Sequence, residues 1–183
     1  HFKPNDTVVM DDACRLGHAG VVVHRLPSGE LTTAMLQHTW QTASGTLDYG
    51  LSTVSEPEAA VRLLDEAQKL FPGAVPLYVT DHEAFVAAHI RGFSVAPGYN
   101  SRIARIRDRH PCASFVYQPG ESMIADKYSR FHAQVLSAAD AEAAKIVASA
   151  LLGGVMGQTG GARGMGRGRL VVWQEPKTVA PSH

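Results

Sequence analysis

Two segments near the start of the chain decide the fold class, and residues 7–26 contain both of them: TVVMDDACRLGHAGVVVHRL. Residues 7–12 form a strand candidate that ends in two acids, and residues 19–26 are strand-like by their β-branched content. A turn signal at residues 27–29 leads to a third strand candidate at residues 31–42. Because the connections are short, these segments predict an antiparallel meander.

Helices and strands alternate after this meander. Residues 56–70 have the clearest helical spacing of apolar side chains, with a predicted capping box between Ser55 and Glu58 and a stop at Pro72. The other candidates are strands at residues 75–80 and 112–117 and helices at residues 82–91, 101–110, 121–134 and 137–152. This order predicts an α/β protein with a five-stranded mixed sheet flanked by helices.

The composition is that of a folded protein. The 183 residues are 45% hydrophobic and 19% charged, which excludes disorder throughout, and no apolar run reaches the roughly 18 residues of a membrane span. Cys14 and Cys112 cannot form a disulfide scaffold and lack zinc-site partners, so we predict a reducing, cytoplasmic location. Since the net charge is 0, any nucleic-acid surface must come from local clusters of basic residues.

We predict one domain over residues 1–136 and a C-terminal extension over residues 137–183. The extension begins with an alanine-rich helix capped by Ser137. The glycine-rich residues 153–168 contain arginines; they resemble segments that bind nucleic acid nonspecifically, and they are equally typical of a linker. Residues 169–174 are a last strand candidate.

Four carboxylates stand at the ends of predicted elements, where they can meet in space: Asp11, Glu58, Asp81 and Asp126. Carboxylates that lie together repel one another, and they stay ionised only around a cation. An all-oxygen site suits Mg²⁺ or Mn²⁺, and two such ions are a common device for hydrolysing a phosphodiester. Singly, each acid is more often a turn former or a helix cap, so the prediction depends on their joint placement.

Five short motifs, in this order, resemble type 1 ribonuclease H. They lie at residues 10–15, 19–23, 55–60, 78–82 and 124–130. The resemblance covers about residues 7–133 and implies the ribonuclease H-like fold. That family cleaves the RNA strand of RNA–DNA hybrids with two Mg²⁺ ions, so the resemblance implies an endonuclease with a hybrid as its partner.

The resemblance also implies roles for individual residues. The catalytic residues and metal ligands would be Asp11, Glu58, Asp81 and Asp126. Glu56 is the competitor for the place of Glu58, which we prefer because it directly precedes the apolar run. Asp12 replaces the family's usual glycine and adds a fifth acid close to the metals.

The sequence departs from the family in two loops. The glycine-rich turn is shortened to residues 16–18, and only residues 118–121 remain where many members carry a mobile loop with a histidine. In the family that histidine helps product release, so its absence favours slower turnover. His82 follows Asp81 directly, and we interpret it as a solvated helix-start residue rather than a phosphate contact.

Three arginines predict a nucleic-acid-binding face on the third helix. Arg102, Arg105 and Arg109 are spaced i, i+3 and i+7, so they share one face, with Ile103 and Ile106 able to point to the core. This face could bind the phosphates of the DNA strand, and a solvated charged face is the alternative. Trp40 and Trp173 are candidates for base stacking or for the core.

The motifs favour a metal-dependent endonuclease acting on the RNA of a hybrid. Three alternatives stay open: a nuclease of the same fold with another nucleic-acid substrate, a binding module of this fold without catalysis, and an unrelated α/β domain whose acids are only caps. The four carboxylates count against a loss of catalysis.

Overall fold

The computed structural model describes residues 3–40, 52–94, 99–120 and 124–153. The strands are β1 (Thr7–Ala13), β2 (Gly17–Arg25), β3 (Leu31–Thr39), β4 (Pro76–Thr80) and β5 (Ser114–Tyr117). The helices are α1 (Ser52–Leu70), α2 (Glu83–Arg91), α3 (Tyr99–Arg109), α4 (Asp126–Ser129) and α5 (Ala138–Leu152).

The strands form a five-stranded sheet in the order β3-β2-β1-β4-β5. β1, β2 and β3 pair antiparallel, as the meander predicted, whereas β4 is parallel to β1 and β5 is parallel to β4. The predicted α/β class, with a mixed sheet flanked by helices, is therefore confirmed.

Both faces of the sheet are covered, because successive strand residues point to opposite sides. Val9 and Val22 pack in a cluster with residues of α1, α2 and α3. Val8 and Met10 pack in a second cluster with Tyr128 of α4 and residues of α5. A shift of one residue along β1 thus moves a side chain from the α1 side of the sheet to the α4 side.

The helix predicted over residues 121–134 is wrong in extent, since α4 ends at Ser129. Phe131 has a backbone φ of 60°, which a right-handed helix does not allow. The side-chain amide of Gln37, on β3, also donates to the carbonyls of Tyr128 and Ala133, at 2.7 and 2.8 Å. A side chain distant in sequence therefore joins a carbonyl of α4 to one in the turn that follows it.

The capping box predicted at Ser55 is also wrong, because α1 already begins at Ser52. Glu56 and Glu58 consequently lie inside the helix. Residues two positions apart on an α-helix are rotated by about 200° around its axis, so the two carboxylates leave α1 in nearly opposite directions.

Helix α5 has the predicted cap, because the Ser137 side chain accepts a hydrogen bond from the backbone N–H of Asp140 at 3.0 Å. Ala144, Val147 and Ala148 pack α5 into the core on the α4 side of the sheet. The glycine-rich segment from residue 154 onward, the strand candidate and Trp173 lie outside the described residues, and the boundary after residue 136 stays a prediction.

The helices of the described part of the chain are all too short or too polar to cross a membrane. Cys14 is a partly exposed free thiol, and Cys112 is an exposed one.

Candidate metal centre

Three acids converge where β1 and β4 end. One carboxylate oxygen from each of Asp12, Glu56 and Asp81 lies within 4.8 Å of the others. The parallel register pairs Met10 with Val79, so Asp12 and Asp81 each follow this pair by two residues. β4 ends at Thr80, so Asp81 lies just beyond that strand, and the two carboxylates meet beyond the last paired residues of β1 and β4.

Helix α1 supplies the third acid. Glu56 lies on the same stripe as the buried Ala60, Leu63 and Ala67, which follow it at i+4, i+7 and i+11. This stripe packs on the sheet, and it leaves Glu56 only 6% exposed. The hydroxyl of Thr80, the last residue of β4, donates to its Oε2 at 3.3 Å.

Asp126, the first residue of α4, adjoins this group through Asp12. The Ser129 hydroxyl lies 3.0 Å from Asp12 Oδ2 and 2.8 Å from the backbone carbonyl of Asp126, and it can donate to one of them at a time. The Asp126 carboxylate is close enough to Asp12 to raise its pKa. Arg130 holds the outer side of Asp126, with Nε 3.3 Å from Oδ1.

The acids strain one another electrostatically. Burial, the contact with Asp126 and the charge of Asp81 raise the pKa of Asp12 to about 8. The pKa of Glu56 is raised well above its usual value, first by burial and then by the neighbouring aspartates. Burial and Asp126 raise the pKa of Asp81. Hard oxygen donors that repel in this way fit a divalent cation such as Mg²⁺ or Mn²⁺, which would neutralise their charge.

Gly120 approaches the same site from the segment after β5. A Cβ atom on this residue would lie 2.8 Å from Asp81 Oδ2, closer than such atoms come in proteins. A larger residue at position 120 would therefore displace the Asp81 carboxylate, whereas glycine leaves room for it.

Asp11 lies on the opposite face of β1 from Asp12. It is 0% exposed, and neither carboxylate oxygen makes a hydrogen bond of normal geometry, although the Tyr78 and Thr80 hydroxyls are nearby. Burial is the largest cause that raises its pKa, and the charges of Asp12 and Asp81 add to the effect. Asp11 is thus outside the group of three, and its role as a ligand stays a prediction.

Glu58 faces α3 and is held by two arginines. Its Oε2 lies 2.9 Å from Arg62 Nε, and its Oε1 lies 2.8 Å from Arg102 Nε. Burial would raise the pKa of Glu58, but the two guanidinium groups lower it below its usual value. The structure therefore places Glu58 in an ion-pair network, and its role as a metal ligand also stays a prediction.

The predicted arginine face is divided between α1 and solvent. Ile103 and Ile106 are buried, as the spacing predicted. Arg102 pairs with Glu58, Arg109 Nη1 lies 2.7 Å from Asp65 Oδ2 on α1, and Arg105 is exposed. The binding of phosphates by these arginines stays a prediction.

Trp40 and His82 both have hydrogen-bond partners within the protein. Trp40 is 7% exposed, and its indole N–H donates to the Cys14 carbonyl at 2.7 Å, so the core alternative holds for this residue. His82 is only partly exposed, and its ring hydrogen-bonds the Tyr99 hydroxyl.

The fold and this site define an α/β protein with a candidate divalent-cation centre at the carboxyl ends of two adjacent parallel strands. No protein-family model and no curated protein sequence matches the chain. A solved structure of LC11-RNase H1, isolated from compost by a metagenomic approach, is similar at 19% identity and a TM-score of 0.45, covering 69% of this chain and 89% of that one. A crystal structure of LC11-RNase H1 in complex with an RNA/DNA hybrid is similar at 20% identity and a TM-score of 0.40, covering 67% and 91%. Both are structures of ribonuclease H1, the family that the sequence motifs resemble.

Proposed function

We propose that this protein is a metal-dependent endonuclease that hydrolyses the RNA strand of RNA–DNA hybrids. The observation that carries the proposal is the meeting of Asp12, Glu56 and Asp81 within 4.8 Å, with Asp126 beside them. The order of the motifs along the chain supports the choice of substrate, because it resembles that of type 1 ribonuclease H.

The proposed ligands of two Mg²⁺ or Mn²⁺ ions are Asp12, Glu56, Asp81 and Asp126. When bound, such ions supply an activated water and a counter-charge for the phosphate. Asp12 is the central ligand, because it adjoins Glu56 and Asp81 on one side and Asp126 on the other. The Ser129 hydroxyl orients the Asp12 carboxylate, and Thr80 orients that of Glu56.

The experiment is hydrolysis of an RNA–DNA hybrid by the full chain, with the RNA strand labelled at one end. We expect internal cuts in the RNA with Mg²⁺ or Mn²⁺ and none with chelator. The DNA strand and a matched DNA duplex should stay intact. Cleavage of a DNA junction or a DNA end instead would favour another nuclease of this fold, and hybrid binding without cleavage would favour a binding module.

A further inference from the structure

Helix α4 carries two groups of the candidate metal centre, yet it is too short to be stable alone. It spans four residues and begins with Asp126. Its last residue, Ser129, hydrogen-bonds Asp12. The first turn of a helix costs more free energy than its hydrogen bond returns, and a four-residue helix has too few further bonds to offset this cost. Helix α4 therefore depends on tertiary contacts for its position.

A carboxylate on α5 makes such a contact. Asp140 is 1% exposed, and its Oδ2 accepts a hydrogen bond from the Tyr128 hydroxyl at 2.5 Å. The same oxygen lies 2.7 Å from Lys127 Nζ. The Tyr128 hydroxyl in turn accepts a hydrogen bond from the backbone N–H of Ser137 at 3.2 Å, just before α5 begins. The two middle residues of α4 are therefore both bound to one buried group.

These contacts lead directly to the metal centre. Lys127 and Tyr128 lie between Asp126 and Ser129, so a displacement of either would move both. The Tyr128 side chain is 0% exposed and packs in the same core cluster as Met10 of β1. Gln37 fixes backbone carbonyls at and after the end of α4, whereas Asp140 fixes its side chains.

We propose that Asp140 is a positioning residue for the metal centre, which holds α4 so that Asp126 and Ser129 face Asp12. The inference rests on the function proposed above. It assigns a role to α5, which lies beyond the segment of about residues 7–133 that resembles the ribonuclease H family.

A purely structural role is the competing explanation. A buried ion pair adds little net stability compared with apolar packing, but removing one partner is strongly destabilising. Loss of stability alone would therefore not distinguish the two explanations. The test needs a measurement that responds to the position of α4 in molecules that are still folded.

That measurement is the Mn²⁺ affinity of the full chain, titrated by calorimetry well below the unfolding temperature of each variant. We expect Asp140→Ala to weaken Mn²⁺ binding by about tenfold, as the loss of groups behind metal ligands commonly does. Asp140→Asn retains an acceptor for Tyr128, so it should weaken binding less. The matched control is Val147→Ala, which removes buried packing from α5 but no polar contact to α4. It should lower the unfolding temperature and leave Mn²⁺ affinity within about twofold of the parent.

Tyr128→Phe removes only the hydroxyl, and it decides the question if Asp140→Ala does not fold. It should weaken Mn²⁺ binding and lower kcat for the hybrid more than it raises KM. Parent-like affinity in the folded Asp140 and Tyr128 variants, or equal weakening by Val147→Ala, would overturn the positioning role alone. A parent protein that neither binds Mn²⁺ nor cleaves the hybrid would overturn the proposed function instead.

Discussion

Asp11 and Asp12 are neighbours in sequence, and the pleat of β1 directs their side chains to opposite faces of the strand, although the charges of both raise the pKa of Glu56. Asp12 shares the side of Met10 and adjoins α4, whereas Asp11 is enclosed on the side of α1. Only Asp12 belongs to the group of acids that lie within 4.8 Å of one another. One position along a strand thus separates a candidate ligand from a buried acid behind it.

The isosteric pair Asp12→Asn and Asp11→Asn tests this difference. We expect Asp12→Asn to reduce hybrid cleavage at least about a hundredfold, because a metal ligand contributes several kcal/mol to transition-state stabilisation. Asp11→Asn should keep most of the activity. Initial rates at saturating Mg²⁺ measure both. The reverse ranking would support the ligand set with Asp11 that the sequence resemblance implies.

Glu56 and Glu58 form a second matched pair, in which activity and stability should separate. Glu56→Gln should abolish cleavage without loss of stability, because it removes a charge from a crowded acidic group. Glu58→Gln should lower the free energy of unfolding by about 1–3 kcal/mol, since it weakens the ion pairs with Arg62 and Arg102.

Urea unfolding and hybrid cleavage, measured on the same preparations of the two glutamate variants, give the comparison. Loss of cleavage in a fully stable Glu58→Gln protein would restore Glu58 as the ligand.

At the scale of elements, the helical periodicity of α1 is the local sequence signal that distinguishes Glu56 from Glu58. Glu56 continues the apolar stripe of Ala60, Leu63 and Ala67, whereas Glu58 shares its side of α1 with Arg62. This periodicity is present in the sequence and would have favoured Glu56 over Glu58. The length of α4 was not accessible in the same way, because a side chain from β3 binds the Ala133 carbonyl beyond its end.

Helix α3 carries a prediction about nucleic-acid binding. Arg105 is exposed, while Arg102 and Arg109 are engaged with acids of α1. If α3 contacts a phosphate, Arg105→Ala should weaken hybrid binding and reduce the slope of log Kd against log salt by about 1. The unfolding temperature should not change.

The control for this binding test is Arg107→Ala, an exposed arginine of α3 whose Nη2 donates to the His89 carbonyl at 2.8 Å. It makes the same change in net charge on another side of the helix. Equal effects of Arg105→Ala and Arg107→Ala in fluorescence anisotropy titrations would contradict a specific contact and favour the solvated-face alternative.

At the scale of the whole molecule, the acidic centre makes stability depend on pH and metal. The pKa of Asp12 is about 8 in the folded protein, above its value of about 3.9 in an unfolded chain. The folded state therefore binds this proton more tightly, and the stability of the metal-free protein should fall as the pH rises from about 4 to 8.

Thermal unfolding in chelator at pH 5.5 and pH 8 should show this loss, and Mg²⁺ or Mn²⁺ should restore more stability at pH 8. Asp12→Asn is the reference variant, and its stability should change less over the same interval.

Asp81→Asn should be at least as stable as the parent without metal, because it removes one of the repelling charges, and it should be inactive. A clear loss of stability in metal-free Asp81→Asn would count against the placement of Asp81.

Local patterns were sufficient for the order of strands and helices, because alternation, helical periodicity and turn residues act over a few positions. They also located Asp81 and Asp126 at element ends, whereas α1 begins earlier than predicted and Glu58 lies inside it. They did not determine which acids meet, since that depends on the pairing of β1 with β4 and on the packing of α1 against the assembled sheet. The Glu58–Arg102 pair and the Asp140 contacts to α4 likewise join distant segments. These choices follow from packing between elements, and no short window of sequence contains both partners of such a contact.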